Sequence, residues 1–207
     1  MSKIKFRKAT KNDIDRVVEI YENFLDYEAE HGTYTNWVKG LYPTVKNAEN
    51  GLKNGTLFVG ELDGNIVGSY VLNNTQPEEY GKFSWAYEGH GQQVIVIHTM
   101  CLDMYTQGMG LGRQFVEFAM EYGKSHGCKT MRLDTADINK PAAKLYNSMG
   151  FRYVGKTEFY FEQAILEDLI CFEYRLDGPM DFDPLDSEKR LISDVGNLDT
   201  RKAPRKG

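Results

Sequence analysis

The sequence has few cysteines, few prolines and no long apolar run. Its three cysteines, Cys101, Cys128 and Cys171, are far apart and form no C-x-x-C pair, which argues against disulfides and a zinc site. No segment approaches the roughly 20 apolar residues that a membrane span needs. The basic N-terminal residues are not followed by the apolar segment of a signal peptide. We therefore expect a cytoplasmic protein that binds neither a metal ion nor a membrane.

Positive charge is also scarce, since 25 Lys and Arg residues face 30 Asp and Glu residues for a net charge of −5. This balance argues against non-specific nucleic-acid binding and favours a small cationic partner such as an amine. The 207 residues, of which 41% are hydrophobic and 27% charged, are typical of a globular protein. We expect one domain over residues 1–177, followed by a polar tail over 178–207 that is partly disordered or loosely docked.

The most informative segment joins a β-branched apolar run, residues 94–102, to a glycine-rich turn. Gly108, Gly110 and Gly112 lie in this turn, and a helix is expected to begin at about Arg113. Glycine permits positive φ and a close approach of the backbone to a ligand. The first N–H groups of the helix would face the same concavity with the positive end of the helix dipole. The segment therefore predicts a phosphate site, and Arg113, which opposes the dipole, fits a bound anion.

Several phosphate-binding patterns can be compared with this segment. A Walker A loop needs Gly-Lys-Ser/Thr where the chain has Gly-Arg-Gln. The dinucleotide pattern G-x-G-x-x-G is broken because Arg113 replaces its third glycine. Asp134 does lie where a ribose-binding acid would be expected, so a dinucleotide-binding oxidoreductase stays open as an alternative. A glycine-rich turn with an incidental surface arginine also stays open.

The rest of the chain predicts a mixed α/β protein. A strand over residues 4–8 leads into an amphipathic helix that Thr10 and Asp13 cap and whose apolar positions recur up to Leu25. Asp63-Gly64-Asn65 predicts a hairpin between two strands. The aromatic-rich segment 76–93 predicts a long loop beside the substrate.

The C-terminal half predicts a helix and two late strands. Asn139 is a candidate N-cap for a second helix after the glycine-rich turn, and Gly150 would close that helix. The apolar patterns then predict strands over residues 152–156 and 169–176.

Two patterns give the chain a family resemblance. The first is Q-x-x-G-x-G from Gln107 to Gly112, and the second is N-x-P-A-x-x-L-Y-x-x-x-G-F from Asn139 to Phe151. With both in this order, residues 3–177 resemble the GNAT superfamily of acetyl-coenzyme A (acetyl-CoA) dependent N-acetyltransferases. The resemblance implies a mixed, mostly antiparallel, twisted sheet of about seven strands flanked by about four helices, with a splayed central pair of parallel strands.

The resemblance also implies a reaction and a cofactor site. An acetyl group would pass from acetyl-CoA to a primary amine by direct attack in a ternary complex. The implied cofactor-binding residues are Met100, Cys101, Leu102, Gln107, Gly108, Met109, Gly110, Leu111, Gly112, Arg113, Asn139 and Tyr146. The acceptor is expected to be a small-molecule amine, and a homodimer is compatible with the family.

Tyr146 and His98 are the expected catalytic residues. By resemblance, Tyr146 would be the general acid, since a phenol can protonate a departing thiolate. Some relatives carry a glutamate early in the strand before the loop, where this chain has Val96. His98 shares the strand parity of Val96 and is the expected base. A longer acyl group and a non-catalytic acyl-CoA-binding regulatory module remain alternatives.

Overall fold

The computed structural model describes residues 3–32, 34–161 and 165–198, and a single sheet runs through them. Its strands are β1 (Lys5–Lys8), β2 (Leu57–Leu62), β3 (Asn65–Asn73), β4 (Val94–Leu102), β5 (Thr130–Ala136), β6 (Arg152–Phe161) and β7 (Ile165–Arg175). The spatial order is β1-β2-β3-β4-β5-β7-β6. Only β4 and β5 pair in parallel, and all other neighbours are antiparallel. This arrangement confirms the fold expected from the sequence.

Helices cover both faces of the sheet. They are α1 (Ile14–His31), α2 (Val45–Lys53), α3 (Leu111–Ser125), α4 (Lys140–Ser148) and α5 (Pro184–Val195). Residues of α3, α4 and α5 share the main core cluster, which includes Phe115, Ala143 and Leu191. Residues of α1 and α2 build a second cluster around Ile20 and Ala48. None of these described helices is long and apolar enough to cross a membrane.

The cap expected at the start of α1 is present, but the helix is longer than the apolar pattern indicated. The Asp13 carboxylate accepts hydrogen bonds from the Thr10 N–H at 2.6 Å and from the Thr10 hydroxyl at 2.8 Å. Beyond Leu25, α1 continues to His31 and buries the carboxylate of Glu28. Hydrophobic periodicity ends early because it counts an acidic residue as solvent-facing.

The segment between β3 and β4, expected to be a long loop beside the substrate, is irregular apart from two short 3₁₀ helices, and its aromatic residues pack against the sheet. Tyr80 is buried in a third core cluster with Val96 and Phe159, and Phe83 and Trp85 pack against that cluster. The hydroxyl of Tyr80 donates a hydrogen bond to Asp134 at 2.7 Å. These aromatic residues therefore cover this part of the sheet, as helices cover other parts of it.

The two late strands are longer than predicted, and the C-terminal region contains a helix. β6 and β7 form a hairpin of 10-residue and 11-residue strands, joined through residues 162–164, which lie outside the described residues. Residues 178–207 were expected to form a polar tail that is partly disordered or loosely docked, and the described part of this region contains α5, which packs on β6. Leu191 is fully buried, and the Ser187 hydroxyl accepts a hydrogen bond from the Tyr153 N–H at 2.9 Å. Residues 199–207 lie outside the described residues.

Candidate active site

A cavity of about 440 Å³ opens where the two parallel strands diverge. β4 and β5 pair only at Val94–Thr130, Ile95–Met131 and Val96–Arg132. Beyond these pairs β4 continues to pair with β3, whereas β5 continues to pair with β7. Among the described residues, the later part of β4 has no strand partner on its β5 side. Its backbone N–H and C=O groups are therefore available to a ligand that enters the cavity.

A β-bulge lies in the β4 wall of the cavity. Ser69 pairs with Cys101 and Val71 with His98, so β4 carries one extra residue against β3. Thr99 in this bulge has a φ of +50°, which is strained for a β-branched residue. Its hydroxyl lies 2.6 Å from the hydroxyl of Tyr42. At this bulge four consecutive residues of β4, Ile97 to Met100, line the cavity wall.

Two groups of residues form the remaining walls. The glycine-loop wall consists of Leu102, Met104, Gln107, Gly108, Gly112, Asn139, Pro141, Ala142 and Leu145. The aromatic wall consists of Phe24, Tyr34, Thr35, Trp37 and Tyr42, with the acidic residues Asp134 and Glu167 beside it. The cavity thus has one wall of glycine, aliphatic and amide residues and another wall of aromatic and acidic residues.

The glycine loop, which runs from Gln107 to Gly112, has the backbone conformation expected of a phosphate site. Gly108 and Gly110 have φ values of +79° and +71°, which a side chain would disfavour. At Gly112 a Cβ atom would lie 3.2 Å from the Leu145 side chain, so glycine permits the close packing of α3 on α4. α3 begins at Leu111 rather than at Arg113, and the first N–H groups of a helix have no partner within it. These donors lie at the loop.

A buried ion pair holds the start of this loop. The Asp103 carboxylate accepts a hydrogen bond from the Tyr105 N–H at 3.0 Å, and Arg16 of α1 forms an ion pair with its other oxygen. The sequence analysis selected neither Asp103 nor Arg16. No spacing rule connects residues 87 positions apart, so only the fold reveals this contact.

The structure brings some predicted cofactor residues together and separates others. Met100, Leu102, Gln107, Gly108, Gly112, Asn139 and Tyr146 line the cavity. Cys101, Met109, Gly110, Leu111 and Arg113 are not in its wall. The side chain of Cys101 lies in the α1 core cluster, and Leu111 is buried under the loop, so neither offers a side chain to a ligand. Met109 is 45% exposed, and the Arg113 guanidinium donates a hydrogen bond to the Ser148 hydroxyl at 2.9 Å.

Tyr146 and Asn139 lie on or beside α4. The Asn139 side chain accepts a hydrogen bond from the Ala142 N–H at 3.2 Å, which confirms the expected N-cap. The Tyr146 ring packs against Phe151 and Phe172, with centroid distances of 5.8 and 5.5 Å. Burial raises the pKa of Tyr146 above its usual value. The phenol therefore stays protonated at neutral pH and has a proton to donate.

His98 lines the cavity as expected, but its surroundings oppose its expected role as a base. Its Nε2 atom lies 3.1 Å from Asn73 Oδ1 and 3.0 Å from the Thr75 carbonyl. Asn73 Oδ1 also accepts a hydrogen bond from the Thr75 N–H at 2.8 Å, so both neighbours of Nε2 are acceptors. Nε2 therefore carries the proton. Burial lowers the pKa of His98 to about 4, so the neutral imidazole accepts a proton only weakly.

Two acidic residues of the cavity have unusual surroundings. Burial raises the pKa of Asp134, which accepts the hydrogen bond from Tyr80, to about 6. Glu167 is 1% exposed, and burial raises its pKa to about 7. The sequence analysis named Asp134 but missed Glu167, because the predicted strand began two residues later. Among the described residues, no group of three or more His, Cys, Asp and Glu side chains is arranged to hold a metal ion.

The profile of the Acetyltransferase (GNAT) family matches residues 15–151. The chain belongs to the GNAT family. A solved GNAT-family acetyltransferase from Streptococcus agalactiae is similar in fold, with a TM-score of 0.70 and 21% identity over 83% of this chain and 95% of that one. The yncA protein of Salmonella typhimurium, solved with its cofactor acetyl-CoA, has a TM-score of 0.62 and 19% identity over 88% of this chain and 99% of that one.

Curated GNAT relatives match parts of the sequence. Mycothiol acetyltransferase of Acidothermus cellulolyticus is 32% identical over 52% of this chain and 32% of its own length. An uncharacterized N-acetyltransferase of Methanocaldococcus jannaschii is 25% identical over 70% of this chain and 59% of its own length. The chain thus spans about a third of the first relative and less than two thirds of the second. Thialysine N-epsilon-acetyltransferase of Sus scrofa is 21% identical over 82% of this chain and 98% of its own length.

Proposed function

We propose that this GNAT protein moves an acetyl group from acetyl-CoA to a primary amine, which attacks directly while both substrates are bound. The observation that carries this proposal is the divergence of β4 and β5 after Val96 and Arg132, which opens a cavity between a glycine loop and an acidic, aromatic wall. The acetyl-CoA in the similarly folded yncA structure supports the choice of cofactor. The names of the relatives, all acetyltransferases, support the choice of reaction.

The glycine loop fits the pyrophosphate of a coenzyme A thioester. Backbone N–H groups between Gln107 and Gly112 would bind the phosphate oxygens, and the positive φ of Gly108 and Gly110 shapes their concavity. Arg113 lies in the first turn of α3, where it adds positive charge close to this loop. The backbone from Met100 to Leu102 and the side chain of Asn139 would hold the pantetheine arm along the open side of β4.

Tyr146 has the properties required of the general acid. The bound acetyl-CoA supplies an activated acyl group whose leaving atom is a thiolate sulfur. Tyr146 lines the cavity, and its phenol is protonated at neutral pH, since even an ordinary phenol has a pKa of about 10. A neutral phenol placed beside the sulfur can donate this proton as the carbon–sulfur bond breaks.

Binding and turnover test this proposal separately. Calorimetric titration with acetyl-CoA should show micromolar affinity, whereas NADH and ATP at equal concentrations should show none. A panel of primary amines should then release free thiol from acetyl-CoA. Binding of NADH without acetyl-CoA would refute the proposed cofactor. Binding of acetyl-CoA without thiol release by any amine would favour a regulatory acyl-CoA-binding module.

A further inference from the structure

The buried carboxylate of Glu167 lines the cavity beside the aromatic wall, which is the part of the cavity that we assign to the acceptor amine. We propose that Glu167 binds the ammonium group of the acceptor and takes its proton, so that the acceptor is a cationic alkylamine. This inference rests on the proposed acetyl transfer and adds the base and the charge class of the substrate. Neither the identity of the base nor the charge of the substrate follows from the two sequence motifs that indicate the family.

The first argument is the hydrogen bonding of Glu167. Its Oε1 atom accepts a hydrogen bond from the Asn36 N–H at 2.9 Å. Its Oε2 atom is buried and has no hydrogen-bond partner among the described residues. Leaving a buried carboxylate oxygen unpaired is costly, and such atoms in native structures call for a missing partner. An ammonium group, which carries three N–H donors, is such a partner.

The second argument is the charge of the cavity. Glu28, Asp134 and Glu167 are the acids at or near this wall, and none of them forms an ion pair with a described Lys or Arg residue. Among the residues that the structure describes, the cavity lining contains no Lys or Arg. Asp137, which also acts on Glu167, is already neutralised by Lys156 at 2.6 Å. The unbalanced negative charge favours a cationic ligand.

The third argument is the aromatic wall beside this carboxylate. The ring of Trp37 packs against Phe24 and Tyr42, with centroid distances of 5.6 and 5.5 Å. Asn36, which holds Glu167, directly precedes Trp37, so one hydrogen bond ties the carboxylate to the aromatic segment. Aromatic faces attract alkylammonium ions, especially where water is excluded. The wall thus combines the two kinds of groups that recognise a cationic amine.

The other acids are already engaged. Glu28 accepts hydrogen bonds from the N–H groups of Tyr34 and Thr35 at 2.5 and 2.8 Å and from the Thr35 hydroxyl at 2.8 Å. Asp134 Oδ2 accepts a hydrogen bond from the Tyr80 hydroxyl at 2.7 Å. Glu167 keeps a free oxygen, and its pKa of about 7 lies near neutral pH, where a base is most effective. His98, with a pKa of about 4, is the weaker base.

Residues of this chain and water account for every proton that moves in the proposed reaction. The ammonium gives one proton to Glu167, and the neutral nitrogen then forms the carbon–nitrogen bond as the carbon–sulfur bond breaks. The thiolate takes the proton of Tyr146, and the nitrogen returns its excess proton to the phenolate. Glu167 releases its proton to solvent after the product leaves. The sum is one amide, one thiol and one proton.

Glu167→Gln tests the inference, and Glu158→Gln is the matched control because Glu158 is exposed on the neighbouring strand. Benzylamine, a cation at neutral pH, and aniline, a neutral amine of similar shape, are the probes. For benzylamine, we expect Glu167→Gln to lower kcat/KM by on the order of 100-fold or more. We expect a much smaller loss for aniline and unchanged acetyl-CoA affinity, and the control should match the parent protein with both amines.

The outcomes separate this inference from the proposed function. Equal activity of Glu167→Gln and the control, or equal losses with both amines, would overturn the role of Glu167. Failure of the parent protein to bind acetyl-CoA would refute the proposed function itself. As a readout without turnover, calorimetry should show benzylammonium bound by the parent protein and at least about 10-fold more weakly by Glu167→Gln. Absence of this binding in the parent protein would also overturn the inference.

Discussion

Replacing Glu167 by glutamine should change how the stability of the protein depends on pH. In the folded protein, burial raises the pKa of this carboxyl from the usual 4.5 to about 7. The folded state therefore keeps the proton over a pH range in which the unfolded chain has lost it. The side chain contributes most below pH 4.5, and this contribution is lost as the pH rises through about 7. The difference corresponds to roughly 3 kcal/mol of unfolding free energy.

Urea unfolding at pH 5 and pH 8 measures this effect. Between these two values, the parent protein should lose roughly 2 to 3 kcal/mol of stability relative to Glu167→Gln. The buried amide of the variant carries a cost of its own, but this cost does not depend on pH and cancels in the double difference. Glu158→Gln should give a difference close to zero. Parallel pH profiles for Glu167→Gln and the parent protein would refute the argument.

Three further substitutions test the other functional and structural assignments. Tyr146→Phe should lower thiol release by on the order of 100-fold at unchanged acetyl-CoA affinity, and undiminished turnover would exclude Tyr146 as the acid. Arg113→Ala should weaken acetyl-CoA binding in calorimetry more than binding of a pantetheine without phosphates. Equal affinity would contradict a phosphate contact. Leu191→Ala should cost about 2 to 5 kcal/mol in urea unfolding, because it empties a fully buried site, and a loss well below 1 kcal/mol would mean that α5 does not stabilise the domain.

Sequence patterns predicted the elements whose geometry depends on local residue types. The bounds of β4 follow from a largely apolar run that begins with four β-branched residues, and the hairpin of β2 and β3 follows from Asp63-Gly64-Asn65. The glycine loop was found because positive φ at Gly108 and Gly110 requires glycine. These features depend on a few neighbouring residues and therefore leave a local trace.

Features set by distant contacts left no such trace. Glu28 and Glu167 are buried acids, and a periodicity argument assigns acids to the solvent side of an element. The bulge at Thr99 occurs at a β-branched residue, which no local rule assigns to positive φ. α5 presents few apolar residues and docks through Leu191 and hydrogen bonds to β6. Such contacts require the tertiary structure, so the acceptor half of the site was harder to predict than the cofactor half.

The short pairing between β4 and β5 has a mechanical consequence. The sheet consists of two blades, β1 to β4 and β5 to β7, joined by three residue pairs from Val94–Thr130 to Val96–Arg132. From Val96 to Leu102 the blade edge extends about 20 Å, so a rotation of about 5° at the joint shifts its far end by about 2 Å. Substitutions that repack these pairs should therefore change the width of the cavity between the two blades, although none of the six residues lines it.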